Sequence, residues 1–247
     1  MKVNGWRTKK RKKRNKKKMN NLRPYLDISN KRVRTDQKEW KLLGNIDIFI
    51  KDPFINSINI QDFINKFEQH IPAHLTYGLD SIYIGDFKEF QERNINAFFE
   101  DGTIYVSNVQ DNEEDFLDDI IHELAHTVEA QNGLEIYGDG RIESEFLGKR
   151  KKLYFLLKEE GYDVDLMEFL NPEYSREFDE FLHKKVGYSN LRNLTHGLFY
   201  SPYGATSLPE YFGNAFEAFF LKKDFKVLQS LSPVLYNKIE KLSDRGE

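Results

Sequence analysis

The sequence predicts an α+β fold, with a small N-terminal sheet followed by a mainly helical part. Three observations carry that reading. Strand-like alternation occurs only before Asn112, helical periodicity dominates after it, and a run of Lys and Arg without apolar partners precedes both. With 247 residues, of which 39% are hydrophobic and 14% aromatic, the chain can bury a sizeable core.

The first segment reads as a tail. Residues 1–18 carry 11 Lys and Arg and no acid, leaving 26 Lys and Arg against 40 Asp and Glu in the remainder. The net charge of −3 therefore averages a basic arm with an acidic body. Such an arm cannot bury enough surface to offset its ordering entropy, so disorder is expected. Its charge suits a polyanion or nucleic acid through phosphate contacts, or a localisation tag. A linker is expected to follow, so that residues 1–41 are tail and linker and residues 42–247 form one folded domain.

Within that domain, Ile46, Ile48 and Ile50 alternate with Asp47 and Lys51 as in a strand. Ile60, Phe63, Ile64, Phe67 and Ile71 have helical spacing. "SIYIGD" reads as a second strand, and Ala97–Phe99 with Thr103–Ser107 as a hairpin turning at Asp101-Gly102. No apolar run approaches the roughly 18 residues of a membrane span, and no secretory signal pattern follows the basic run. These features, with a composition rich in Lys, Asn, Ile and Phe, point to a cytoplasmic or virus-associated protein.

The next helix carries the chemistry. Asp111 or Asn112 can cap it, Glu113, Glu114 and Asp115 suit its first turn, and Asn132-Gly133 supplies a stop. Phe116, Leu117, Ile120, Ile121, Leu124 and Val128 form its apolar face. At 100° per residue, His122 and His126 lie one turn apart and point the same way. That spacing brings two imidazoles to one Zn²⁺, while Glu123 sits to one side, placed to take a proton from water. The segment His122-Glu123-Leu124-Ala125-His126 is thus an HExxH motif. With no cysteine in the chain, any further ligand must be His, Asp or Glu.

A catalytic zinc needs a third protein ligand and an open position. Glu143 and Glu145 follow His126 by 17 and 19 residues on the next predicted helix. Glu129 lies 60° around the same helix and reads equally as a surface charge. His70 and His74 are also four apart, but Pro72 between them should end the helix and part them. His183 and His196 read as structural or helix-end residues.

A later block, "YSPYGATSLPEYFGNAFEAFFL", resembles the anthrax lethal factor-like zinc metallopeptidases. That family pairs HExxH with a Tyr-Gly and, seven residues after the tyrosine, a ligand glutamate on a helix rich in Phe and Ala. Here Tyr203 and Gly204 precede Glu210 at that spacing. The gap from His126 to Glu210 is longer than in the toxin, and Asn214 stands where the family often has a second acid. The resemblance implies a zincin-like metalloprotease fold over 42–247 and Zn²⁺ held by His122, His126 and Glu210. It also implies Glu123 as general base and Tyr203 as hydrogen-bond donor to the developing oxyanion. One preorganised donor there is worth roughly 3–4 kcal/mol. Glu217 is the next candidate ligand on the same face, and Tyr200 the nearest rival to Tyr203. "SLPE" is also a capping box, in which Glu210 would fold back on the backbone.

The expected activity is zinc-dependent hydrolysis of a protein or peptide substrate. One hairpin strand would bind that substrate as an extra strand, as zincins do. The alternative is a non-catalytic polyanion-binding protein whose tail is its working part and whose metal site only stabilises the fold.

Overall fold

A computed structural model describes residues 40–93, 95–222 and 224–244. The expected tail disorder and the polyanion contact through residues 1–18 lie outside the described residues. The chain divides into two units, Met1–Trp40 and Lys41–Glu247, and everything below apart from Trp40 itself concerns the second.

Folded structure begins earlier than its pattern implies. Strand β1 spans Trp40–Leu42, starting two residues inside the segment read as linker, and a tight turn leads into β2, Ile46–Ile50. Leu43 and Gly44 both take positive φ, 51° and 76°. This is the type I′ geometry usually signalled by Asn-Gly or Asp-Gly, so a Leu-Gly turn hides the hairpin from a sequence reading.

Helix α1, Ile60–His70, starts at Asn59, whose side chain accepts from Gln61 N, and ends just before Pro72. Strand β3, Ser81–Gly85, short helix α2, Lys88–Arg93, and hairpin strands β4, Ala97–Glu100, and β5, Thr103–Ser107, follow. Asp101 and Gly102 turn that hairpin with φ of 46° and 78°, as the Asp-Gly dipeptide predicts. The sheet is mixed, ordered β1-β2-β3-β5-β4. β2 runs parallel to β3 and β3 to β5, while β4 is antiparallel to β5 and forms an edge.

One sheet face buries Ile46, Ile48, Ile82, Ile84, Ile104 and Val106. The residues of opposite phase form an aromatic ladder in register across four strands: Phe49 against Tyr83, Tyr83 against Tyr105, and Tyr105 against Phe98. Helix α3, Glu113–Tyr137, packs on β4 and β5, and Phe116 in its first turns meets Phe63 of α1 with ring centroids 4.8 Å apart.

The remainder is helical. Helix α4 spans Arg141–Glu159, α5 Leu166–Phe169 and α6 Arg176–Glu180, which runs on as a π-helical segment, Phe181–Gly187. Helix α7, Tyr188–Thr195, precedes a 3₁₀ turn, Tyr203–Ala205. Helix α8 is Leu208–Glu217 with a π-helical end, Ala218–Lys222, and α9, Phe225–Leu231, and α10, Pro233–Ser243, follow. The architecture is α+β, with a small N-terminal mixed sheet and helices after it. None of the described helices is long and apolar enough to cross a membrane.

Candidate metal centre

Asn112 caps α3, accepting from Glu114 N at 2.8 Å and Asp115 N at 2.9 Å, and Glu113, Glu114 and Asp115 sit where the helix dipole favours anions. Ile120, Ile121, Leu124, Ala125 and Val128 are buried and seat the helix. His122 and His126 stand one turn apart, ring centroids 5.1 Å apart and planes at 81°. The predicted stop at Asn132-Gly133 is overridden. The helix continues to Tyr137, anchored by fully buried Ile136, and its last turn closes with Gly138 N donating to Leu134 O.

The second half arrives on α8. Ser207 caps it, its hydroxyl accepting from Glu210 N at 3.3 Å. Only this half of the capping box forms, because the Glu210 carboxylate does not fold back. Its Oε2 lies 2.9 Å from His122 Nε2, and the Tyr203 phenol lies beside it. Gly213 makes the approach feasible, since a Cβ there would lie 2.8 Å from His122 Cε1. An isolated glycine inside a helical pattern is the sequence signal for such a contact.

One ligand atom each from His122, His126 and Glu210 lies within 4.8 Å of the others. Zinc bonds of 2.0–2.2 Å set tetrahedral ligand atoms about 3.3 Å apart, so side-chain adjustments of about an ångström close the set. Ring orientation agrees with this. His126 Nδ1 is bonded to Glu129 Oε2 at 2.7 Å, which leaves Nε2 for the site. His122 Nδ1 has Glu217 Oε2 at 4.0 Å, and Lys222 bonds both Glu217 and Asp118. The donor set, two imidazoles and a carboxylate without thiolate, suits zinc and leaves a fourth position open.

The electrostatics follow from burial and pairing. Burial pushes the His126 imidazole down, but bonded Glu129 outweighs it and holds His126 at about 9. Burial raises Glu210, yet His122 beside it brings the carboxyl below its ordinary value. Glu123 is raised by burial against the opposing pull of both histidines, and its carboxyl lies near the Phe99 backbone N–H of edge strand β4. Tyr203, 41% exposed, is raised by burial of its hydroxyl and by Glu210, so it stays protonated and able to donate.

The other sequence candidates go elsewhere. Glu143 is exposed. Glu145 accepts from Tyr211 Oη at 3.0 Å and from Val234 N and Leu235 N at 2.9 and 3.2 Å, capping α10. Glu129, read equally as a surface charge, is half-buried against His126. Glu217 faces the Nδ1 side of His122, away from its Glu210 contact. Tyr200 lies near Lys222 and Glu217. His70 bonds Lys66 O and His74 bonds Leu242 O, so they serve separate partners. His183 and His196 are exposed. Sequence reasoning did not find Gly213, Tyr137 or the Phe99 contact, although Glu129 was legible as the acid three residues beyond His126. Comparison of the chain with protein-family profiles, curated proteins and solved structures finds no match.

Proposed function

We propose that the chain is a zinc-dependent metallopeptidase, with Zn²⁺ held by His122, His126 and Glu210. The observation that carries this reading is the convergence itself. A glutamate from a separate helix is brought to an HExxH pair whose second histidine is already backed by a carboxylate. Bound zinc would supply Lewis acidity, activating a water and polarising the scissile carbonyl.

The chain's own residues do the rest. Glu123, lifted by burial, takes a proton from water and returns it to the leaving amine. Tyr203, protonated and on the rim beside Glu210, donates to the carbonyl oxygen as it gains charge. The substrate binds extended along β4. Because Glu100 and Thr103 close a two-residue hairpin, Ala97 and Phe99 direct their backbone N–H and C=O away from β5. A peptide paired there runs past Glu123, whose carboxyl lies near the Phe99 N–H.

The test combines bound zinc by mass spectrometry with hydrolysis of an unstructured protein. His126→Ala should lose both zinc and activity. Glu123→Gln should keep zinc and lose hydrolysis by about 10²- to 10⁴-fold, and full activity in that variant sinks the mechanism. Glu210→Ala should lower zinc content, whereas Glu145→Ala should leave it unchanged.

A further inference from the structure

The overrun of α3 past Asn132-Gly133 has a local cost. Glycine inside a helix is less favourable than alanine, and Gly133 has open space where a side chain would be. The extra turn delivers buried Ile136 and, after it, Tyr137. Helical side chains lean toward the N-terminus. The Tyr137 phenol accordingly reaches back along the helix, and its hydroxyl donates to Glu129 Oε1. The other Glu129 oxygen bonds His126 Nδ1 at 2.7 Å. With both oxygens engaged, the carboxylate cannot rotate away from the imidazole. The Tyr137 ring also meets Phe212 edge-on, centroids 6.3 Å apart, on the helix that presents Glu210. One residue outside the ligand cluster thus touches the acid that orients His126 and the helix that carries Glu210.

We infer that Tyr137 is a positioning residue for the metal centre, setting metal affinity by clamping Glu129 against His126. The inference rests on the metal-centre reading above. Outer groups that orient a ligating histidine typically change metal affinity by 10- to 100-fold. Packing alone would give Tyr137 a role in folding but none in affinity.

The test uses the full chain, with zinc affinity read by chelator competition. The visible spectrum of the cobalt-loaded protein and the melting temperature of the metal-free protein are second and third readouts. Tyr137→Phe keeps the ring on Phe212 and removes only the hydroxyl. It should bind zinc roughly 10- to 100-fold more weakly and shift the cobalt spectrum, with at most a small drop in metal-free melting. Glu129→Gln should do the same, and the double variant should be no weaker than Glu129→Gln alone. Wild-type affinity and spectrum in Tyr137→Phe overturn the inference while leaving the metal centre standing. Additive losses in the double variant overturn it as well, because hydroxyl and carboxylate would then act independently. A drop in metal-free melting without a spectral change assigns Tyr137 to packing and also overturns it. If the wild-type chain binds no zinc, the metal centre fails and the inference fails with it.

Discussion

The two halves of the site are held in place by different forces. Helix α3 presents His122, Glu123 and His126 and is seated by buried aliphatic side chains over β4 and β5. The half that presents Tyr203 and Glu210 also buries Phe212 and Phe216, and is tied in addition by two buried cations of α4. Arg150 donates to Asn171 O at 2.8 Å, Thr206 O at 3.3 Å and Glu168 O at 2.6 Å, and its guanidinium lies 4.0 Å from the Phe178 ring centroid. Lys149 donates to Leu198 O at 2.6 Å and to Leu231 O at 2.5 Å. One half is placed by apolar packing of a regular helix. The other adds to such packing charged donors that gather carbonyls from helix ends and connecting segments.

If that contrast is right, its largest consequence follows from Arg150→Leu. Three carbonyls, one buried and two part-buried, lose their donor, and stability should fall by about 3–5 kcal/mol, read by urea denaturation. Zinc affinity should fall too, because Thr206 O sits between Tyr203 and Glu210. Unchanged affinity in the destabilised variant would show that the second half does not depend on the cation.

Gly213→Ala probes the seam between the halves. The added methyl meets the His122 ring at 2.8 Å, so helix or ring must give way, at about 1–3 kcal/mol. Zinc should be bound at least about tenfold more weakly, as for other disturbed ligand orientations. Wild-type affinity would mean that the seam is looser than the geometry implies.

Asp119, on the same helix four residues before Glu123, shows that the packed half carries an electrostatic cost. Burial first, and the Glu123 charge after it, raise its carboxyl to about 6, although Gln110 bonds it at 3.0 Å. Below about pH 4 both folded and unfolded states are protonated and there is no cost; above pH 6 the folded state bears the full cost. Asp119→Asn keeps an acceptor for Gln110. It should stabilise the metal-free protein by about 1–2 kcal/mol at pH 7.5, allowing for partial screening, with the gain vanishing near pH 4. A gain that does not change with pH would refute this account.

The smallest effect is expected from Gly133→Ala, which has free space and helical geometry. It should raise stability by about 0.5–1 kcal/mol. A loss instead would mean that glycine is required there, and that propensity does not oppose the overrun.

Local pattern was enough for α3, α1, β2, β3 and the Asp101-Gly102 hairpin, because each is specified by neighbours within a few residues. It failed at β1, where a Leu-Gly turn replaces the usual signal, and at the end of α3, where buried Ile136 and Tyr137 outweigh Asn132-Gly133.

By itself, the sequence determined the contiguous part of the site. A helix of fixed pitch must carry His122 and His126 on one face with Glu123 beside them, whatever surrounds it. Only the tertiary structure brings Glu210, rather than Glu217, Glu143 or Glu145, against His122 and His126. That choice depends on how α8 approaches α3 through Gly213 and on which carboxylates the α10 cap and Lys222 engage. Those contacts span some 90 residues, and no periodicity in the chain records where two distant helices will meet.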